Sequence, residues 1–241
     1  MRISLQPGYV LHRRPYRDTS LIVDFFTHDY GRVSAVAKGA RQSGKKRRWV
    51  LEPFQPMLLS WVGKEQFSQS SLKQLHGAES QVGGFFLTGT VLYSALYLNE
   101  LIVRLLPESE PFPELFQRYT ESLVALSIGE PIEGVLRNFE LDLLAGLGQL
   151  IPLDVEAQCQ QPFESEAWYQ LELEKGFVPV AVTDTDNAHR RGFFLGQHLK
   201  AISERCWLER EVRREGKRLL RVLLKPLLGA RPLQSRSLFS R

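Results

Sequence analysis

At Gly83-Gly84 the hydrophobic periodicity of the chain changes, and that change limits what each side of it can fold into. Upstream, from Gly8 to Gly77, short apolar runs rich in β-branched and aromatic residues are separated by turn residues, as in strands. The expected strands cover residues 9–13, 20–27, 32–38, 54–62 and 67–76. His28-Asp29-Tyr30-Gly31 reads as a hairpin loop, because Gly31 adopts φ > 0 without steric penalty. Five short strands in this length are what an OB-fold barrel needs, and closing the sheet hides its edges. A small open sandwich or an SH3-like barrel would show the same pattern.

Downstream, Val91, Ala95, Leu98, Ile102 and Leu105 recur at three-to-four spacing, which predicts a helix. Leu92, Leu96 and Leu101 make its other face apolar too, so neighbours should cover most of it. A second helix starts near Pro113, a favoured first-turn residue, and Gly129 ends it. A third begins near Pro131 and carries Ile132, Val135, Leu136, Phe139 and Leu143 on one face. From 151 to 191 the helical period is lost, and Trp168–Glu172 followed by Gly176–Val180 resembles a hairpin. It returns from Phe193 to Gly229, and the last residues, 230–241, read as an ordered arm or a frayed end. The expected architecture is α+β: a β-barrel domain at 1–80, a helical-bundle domain at 81–150, a small β-containing insertion at 151–192, and C-terminal helices at 193–241 that pack back on the bundle.

With 43% hydrophobic and 24% charged residues the chain is an ordinary globular protein rather than a disordered or fibrous one. The apolar stretch 85–106 approaches membrane-spanning length, but Asn99, Glu100 and Arg104 are costly in hydrocarbon and mark it as a core helix. The amino terminus lacks the apolar core of a secretory signal, and two cysteines give no disulfide framework, so a reducing, cytoplasmic setting is expected. A net charge of +4 favours an acidic partner.

That charge is concentrated. Lys38, Arg41, Lys45, Lys46, Arg47 and Arg48 fall between Lys38 and Trp49 with no acidic residue among them. One reading is a solvated hairpin tip. The other is phosphate contact, with Trp49, Phe54, Trp61 and Phe67 close in sequence as possible stacking faces, since sequence-tolerant single-strand binders combine a basic groove with aromatic platforms. Some of those aromatics must fill the barrel instead. A second basic array runs from Arg205 to Lys225, where helical-spaced acids such as Glu209 and Glu211 allow a solvated face as readily as an extended binding track.

Enzyme signatures are missing. The five histidines form no HExxH pair, the cysteines are too far apart for a CxxC knuckle, and no phosphate-binding glycine loop or nucleophile elbow occurs. A nuclease built from scattered carboxylates is the one enzymatic reading left, because such ligands converge only in a fold.

Several short blocks resemble the RecO recombination mediators of bacterial DNA repair. They are Thr19-Ser20-Leu21 through Phe26-Thr27, Gly31-Arg32-Val33, Ala37-Lys38-Gly39-Ala40-Arg41, Leu92-Tyr93, Tyr97-Leu98-Asn99-Glu100-Leu101, Phe139-Glu140-Leu141, Leu147-Gly148 and Ser235-Arg236. The resemblance implies an OB-fold barrel, a helical domain, and an insertion that holds zinc through four cysteines in some members. Here Cys159 stands alone in that region, followed by Gln160-Gln161-Pro162, so a metal-free insertion is expected and no cofactor. It further implies a non-enzymatic protein that binds single- and double-stranded DNA, anneals complementary strands, and with RecR loads RecA onto strands coated by the single-strand-binding protein, SSB. Arg32, Lys38, Arg41, Lys45, Lys46, Arg47, Arg48 and Trp49 are then the expected DNA contacts. Arg137 is a candidate rim for the acidic, aromatic-ended SSB tail, or else a helix arginine paired with Glu133 or Glu140. The competing reading is a generic OB-fold DNA or RNA binder without a mediator role.

Overall fold

A computed structural model describes residues 2–42, 50–63, 72–181 and 192–240. Five strands, β1 (Arg2–Tyr16), β2 (Ser20–Thr27), β3 (Gly31–Ala37), β4 (Met57–Val62) and β5 (Lys73–Ser80), close a barrel in the order β1-β2-β3-β5-β4. All neighbours are antiparallel except β3 and β5, which pair in parallel at Ala35↔Lys73 and Val36↔Gln74. The first strand is longer than its pattern predicts because it serves two partners, β2 with its C-terminal part and β4 with its N-terminal part. Val10, Val23, Phe25, Val33, Leu51, Met57, Leu59, Trp61 and Leu75 fill the interior. Gly31 has φ 59°, and a Cβ there would meet the Glu110 carbonyl oxygen at 1.6 Å, so the β2–β3 turn tolerates only glycine.

The run Leu21-Ile22-Val23-Asp24-Phe25-Phe26 is apolar on both sides because β2 is buried on both. Its inward residues enter the barrel core, while Phe26 turns outward with Tyr9 onto α2 (Pro113–Ser127). There Tyr9 and Phe26 meet Phe116 and Tyr119 with ring centroids 5.3 to 5.9 Å apart in tilted and edge-on arrangements.

α1 (Gly89–Leu105) is tied to the same barrel by a polar contact. The β1–β2 register slips between Val10 and His12, a bulge that takes Leu11 out of the ladder. Asn99 Nδ2 donates to the Leu11 carbonyl at 3.0 Å, and Asn99 Oδ1 accepts from the Tyr119 hydroxyl at 2.7 Å. Glu100 points to the chain's end, accepting from the Gln234 N–H at 2.8 Å and from the Ser235 N–H and hydroxyl at 2.8 and 2.6 Å. Arg104 donates to the Arg231 and Pro232 carbonyls. The end of the chain is therefore an ordered arm, closing in a 3-10 turn over Ser235–Ser240.

Residues 1–132 and 230–241 form one compact unit and 133–229 a second. The second contains α3 (Ile132–Gly146), α4 (Gly196–Ser203), α5 (Arg210–Leu228) and a sheet of order β7-β6-β8, from β6 (Trp168–Glu172), β7 (Gly176–Val180) and β8 (Phe193–Leu195). β6 and β7 are the expected hairpin. Phe193–Leu195, expected to begin a helical stretch, is instead the third strand, because Phe194 joins Phe163, Tyr169 and Phe177 in an aromatic cluster. In α5 a Cβ on Gly216 would lie 2.5 Å from Trp207, whose indole N–H donates to Asn138 Oδ1 at 2.8 Å. That close approach explains a glycine in the middle of a helix, where it costs about 1 kcal/mol against alanine.

Cys159 is exposed, and the turn that holds it is organised by a carboxylate. Glu156 accepts from the Gln158 N–H at 2.7 Å and from the Cys159 N–H. Hydrogen bonds from these amides lower its pKa against opposing desolvation. Among the described residues no group of three or more His, Cys, Asp or Glu is placed to hold a metal ion.

Asn99 is buried and both its partners are buried polar groups, so Asn99→Leu removes the hydrogen bonds to the Leu11 carbonyl and from the Tyr119 hydroxyl together. The expected loss is about 3 kcal/mol of unfolding free energy, read from the urea midpoint. A wild-type midpoint would show that the contact does not hold the helices on the barrel.

Candidate nucleic-acid interface

A cleft of about 510 Å³ opens on the barrel, lined by the β1–β2 turn, the end of β3 and the start of β5. Tyr16 and Ser20 pair as the last residues of the hairpin, and Arg17 takes φ 51° at the turn, which places its guanidinium 5.2 Å from the Tyr16 ring centroid. Lys38 follows β3 into the cleft and is exposed, and Lys73 enters from β5. The chain beyond Lys38 is hooked onto the hairpin turn: the Arg41 N–H donates to the Thr19 carbonyl at 2.9 Å and its guanidinium to the Arg17 carbonyl at 3.3 Å. Lys73 Nζ donates to Ser109 Oγ at 3.0 Å. Partial burial lowers its pKa, and the Glu108 carboxylate opposes the shift. Arg17, Lys38 and Lys73 line this open cleft with Asp18 and the half-buried Tyr16 ring, and basic side chains beside an aromatic ring are the parts that sequence-tolerant strand binders combine.

Next to it on the barrel a polar network fixes β3. Arg32 donates through Nε to the Leu106 carbonyl at 2.9 Å and pairs with Glu108 at 3.2 Å. The Ser34 hydroxyl stands 2.8 Å from Glu108 Oε1 and 2.5 Å from Asp24 Oδ1, and His12 lies 3.6 Å from the other Asp24 oxygen. Burial disfavours ionisation of Asp24, but hydrogen bonds from His12 and Ser34 and the positive fields of Arg14 and Arg32 outweigh it and lower the pKa.

In the second unit an apolar cleft of about 320 Å³ is lined by Leu141, Leu150, Ile151, Pro152, Leu153, Ser203 and Arg205. Arg205 pairs with Asp142 in a two-pronged contact at 2.5 and 3.1 Å.

Comparison with known families decides the identity of this scaffold. Residues 1–81 match the model described as "Recombination protein O N terminal" and residues 87–237 the model "Recombination protein O C terminal". The chain is 46% identical over 240 residues to the DNA repair protein RecO of Cellvibrio japonicus, covering 100% of this chain and 98% of that protein. It is 44% identical to the RecO of Nitrosococcus oceani, covering 99% and 93%, and 42% identical to that of Vibrio parahaemolyticus, covering 97% and 92%.

The chain belongs to the RecO family.

Of the DNA contacts expected for a RecO protein, the structure brings Lys38 into the barrel cleft and anchors Arg41 beside it, on the hairpin turn. Arg32 is held by Leu106 and Glu108 with its side chain only 16% exposed, so its charge is engaged within the fold. Lys45, Lys46, Arg47, Arg48 and Trp49 lie outside the described residues, as does Phe67. Phe54 and Trp61 are buried, Trp61 in the barrel core against Tyr30, and offer no stacking face. Tyr16, Arg17 and Lys73 escaped the sequence reading. For Lys73 no local signal exists, since only the parallel β3–β5 pairing brings it within reach of Lys38.

Arg137 is buried and pairs with Glu140 at 2.7 Å, while Glu133 pairs with Arg213. It does not line the apolar cleft of the second unit. No helix among the described residues is long and apolar enough to cross a membrane.

Asp24 gives this RecO barrel an acid-sensitive joint. Its pKa is lower folded than unfolded, so the stabilisation is complete above the ordinary carboxylate value near 3.9 and is lost as pH falls below it towards the folded value. The stability advantage of wild type over Asp24→Asn should therefore be constant near pH 6 and narrow towards pH 3 in urea titrations. A gap that widens with acid would contradict the sign.

Proposed function

We propose that this RecO-family chain is a recombination mediator in DNA repair that binds single- and double-stranded DNA, anneals complementary strands and, with RecR, helps load RecA onto SSB-coated single strands. The barrel cleft with Tyr16, Arg17, Lys38 and Lys73 is the observation that carries the reading, with Arg41 hooked beside it, and the sequence adds the basic run Lys45-Lys46-Arg47-Arg48. Family membership supports the choice of DNA repair over a generic binder, since the relatives are themselves named DNA repair proteins. Such a surface neutralises phosphates without reading base edges, so affinity comes without sequence choice. Annealing then needs no covalent step, only two strands held with their charge partly neutralised. Arg32 acts here as a positioning residue for β3 rather than as a phosphate contact.

Strand annealing of SSB-coated complementary oligonucleotides, with and without the protein, tests the mediator role. Acceleration is expected, and no acceleration would sink it. Neutralising Lys45, Lys46, Arg47 and Arg48 together should weaken single-strand binding and reduce the steepness of log K against log salt by about 3, at about 0.7 for each phosphate contact. An unaltered slope would remove the segment from the interface.

The SSB tail, acidic and aromatic-ended, calls for an apolar slot with an arginine at its mouth. Within this proposal the cleft of Leu141, Ile151 and Leu153 with Arg205 fits that need better than Arg137, because Arg205 lines an apolar cleft and stays 41% exposed beside its partner Asp142, whereas Arg137 is buried against Glu140. Arg205→Ala should weaken binding of a tail peptide, with a loss of stability limited to its half-exposed pair with Asp142. Arg137→Ala should instead cost about 3 kcal/mol of stability by removing the ion-pair partner of the buried Glu140 carboxylate. Loss of peptide binding in a folded Arg137→Ala protein, with Arg205→Ala unaffected, would reverse the assignment.

A further inference from the structure

α5 has a division of faces that its role in the fold does not use up. Val212, Leu219, Leu220, Leu223 and Leu224 are buried, and so is Glu215, which pairs with Arg218 at 2.5 Å. Arg218 is spent inside the unit as well, against the Phe193 carbonyl and 3.7 Å from the Phe194 ring centroid. The other side carries Arg210, Arg214, Lys217, Arg221 and Lys225, all exposed. At 100° per residue these five fall within an arc of about 80° and run for about 22 Å along the helix. Among the described residues Arg210, Lys217, Arg221 and Lys225 have no ion-pair partner, and Arg214 reaches only Glu215, at 3.3 Å. The exposed acid of this helix, Glu211, lies about 100° round from Arg210, off the stripe.

We infer that this stripe is a second binding site for a nucleic-acid phosphate backbone, separate from the barrel cleft and carried by the second compact unit. The inference rests on the nucleic-acid reading given above. Its warrant is charge complementarity along a line. One strand of a duplex places a phosphate every 3.4 Å of axis, so about 22 Å of helix faces about six of them. A membrane surface is the poorer occupant, because a helix that binds lipid must insert its apolar face, and here that face is buried within the protein. A short acidic peptide is poorer too, because an anchored tail needs an apolar slot and Val222, at 39% exposure, is the exposed apolar residue beside the stripe. Two phosphate sites on one chain allow two strands to be held at once, which is the physical requirement of annealing.

The test compares full-length wild type with the variant carrying Arg210→Gln, Lys217→Gln, Arg221→Gln and Lys225→Gln in titrations of a labelled single-stranded oligonucleotide from about 50 to 200 mM salt. Four lost phosphate contacts should make the slope of log K against log salt shallower by about 3, and oligonucleotide stoichiometry at low salt should fall from two to one. A companion variant with Arg210→Lys and Arg221→Lys keeps the charge and should keep the wild-type slope, which separates electrostatics from damage to the helix. Wild-type slope and stoichiometry in the glutamine variant would overturn the site while leaving the barrel reading intact. A shallower slope in both variants would also overturn it, since charge would then not be the cause. If wild type itself binds no oligonucleotide at low salt, the mediator reading fails and the stripe fails with it.

Discussion

The contact between Asn99 and the bulged first strand is the constraint on which the first compact unit depends. A bulge bends a strand and takes one residue out of the ladder, and a barrel this small needs such a bend to close. The bulge leaves Leu11 without a counterpart in the β1–β2 register. Asn99 binds the Leu11 carbonyl from α1 and holds the Tyr119 hydroxyl with its other end, so the irregularity that closes the barrel also fixes where two helices lie on it. One residue later Glu100 gathers the end of the chain with three hydrogen bonds. Two polar residues that rule out a membrane span thus join segments far apart in sequence.

Periodicity made much of this legible. The strand runs and the helical spacing after Gly84 correspond to the barrel and to α1, α2 and α3, because burial on one face or both leaves a direct imprint on residue type. What escaped was whatever depends on pairing across distance. β8 is three residues long and is a strand only because Phe194 completes an aromatic cluster. The family models divide the chain after residue 81, yet α1 and α2 fall in the same compact unit as the barrel, because Phe116, Tyr119 and Asn99 are spent on β1 and β2.

Charge was legible as amount but not as availability. Arg32, Arg137 and Arg218 look in sequence like any other surface cations, and in the fold each is committed to a carboxylate or a carbonyl. A buried carboxylate such as Glu140 or Glu215 is tolerable only with such a partner, so these arginines are structural necessities before they are anything else. Lys217, exposed on α5, meets no such demand. The distinction follows from burial of the partner, which no local spacing reveals.

The annealing role proposed above sets a physical requirement on where such cations lie. Two complementary strands repel each other, and the bimolecular step is slow at low concentration. A single phosphate site lowers the repulsion of one strand only. The two sites proposed here would convert the meeting of strands into an event at the high effective concentration that a shared chain sets. Contacts to backbone alone leave the bases free to pair, whereas base-edge recognition would have to be undone before a duplex could form. Binding that ignores sequence is therefore a requirement for annealing any pair of strands, and arginine and lysine contacts to phosphate are the kind that supply it.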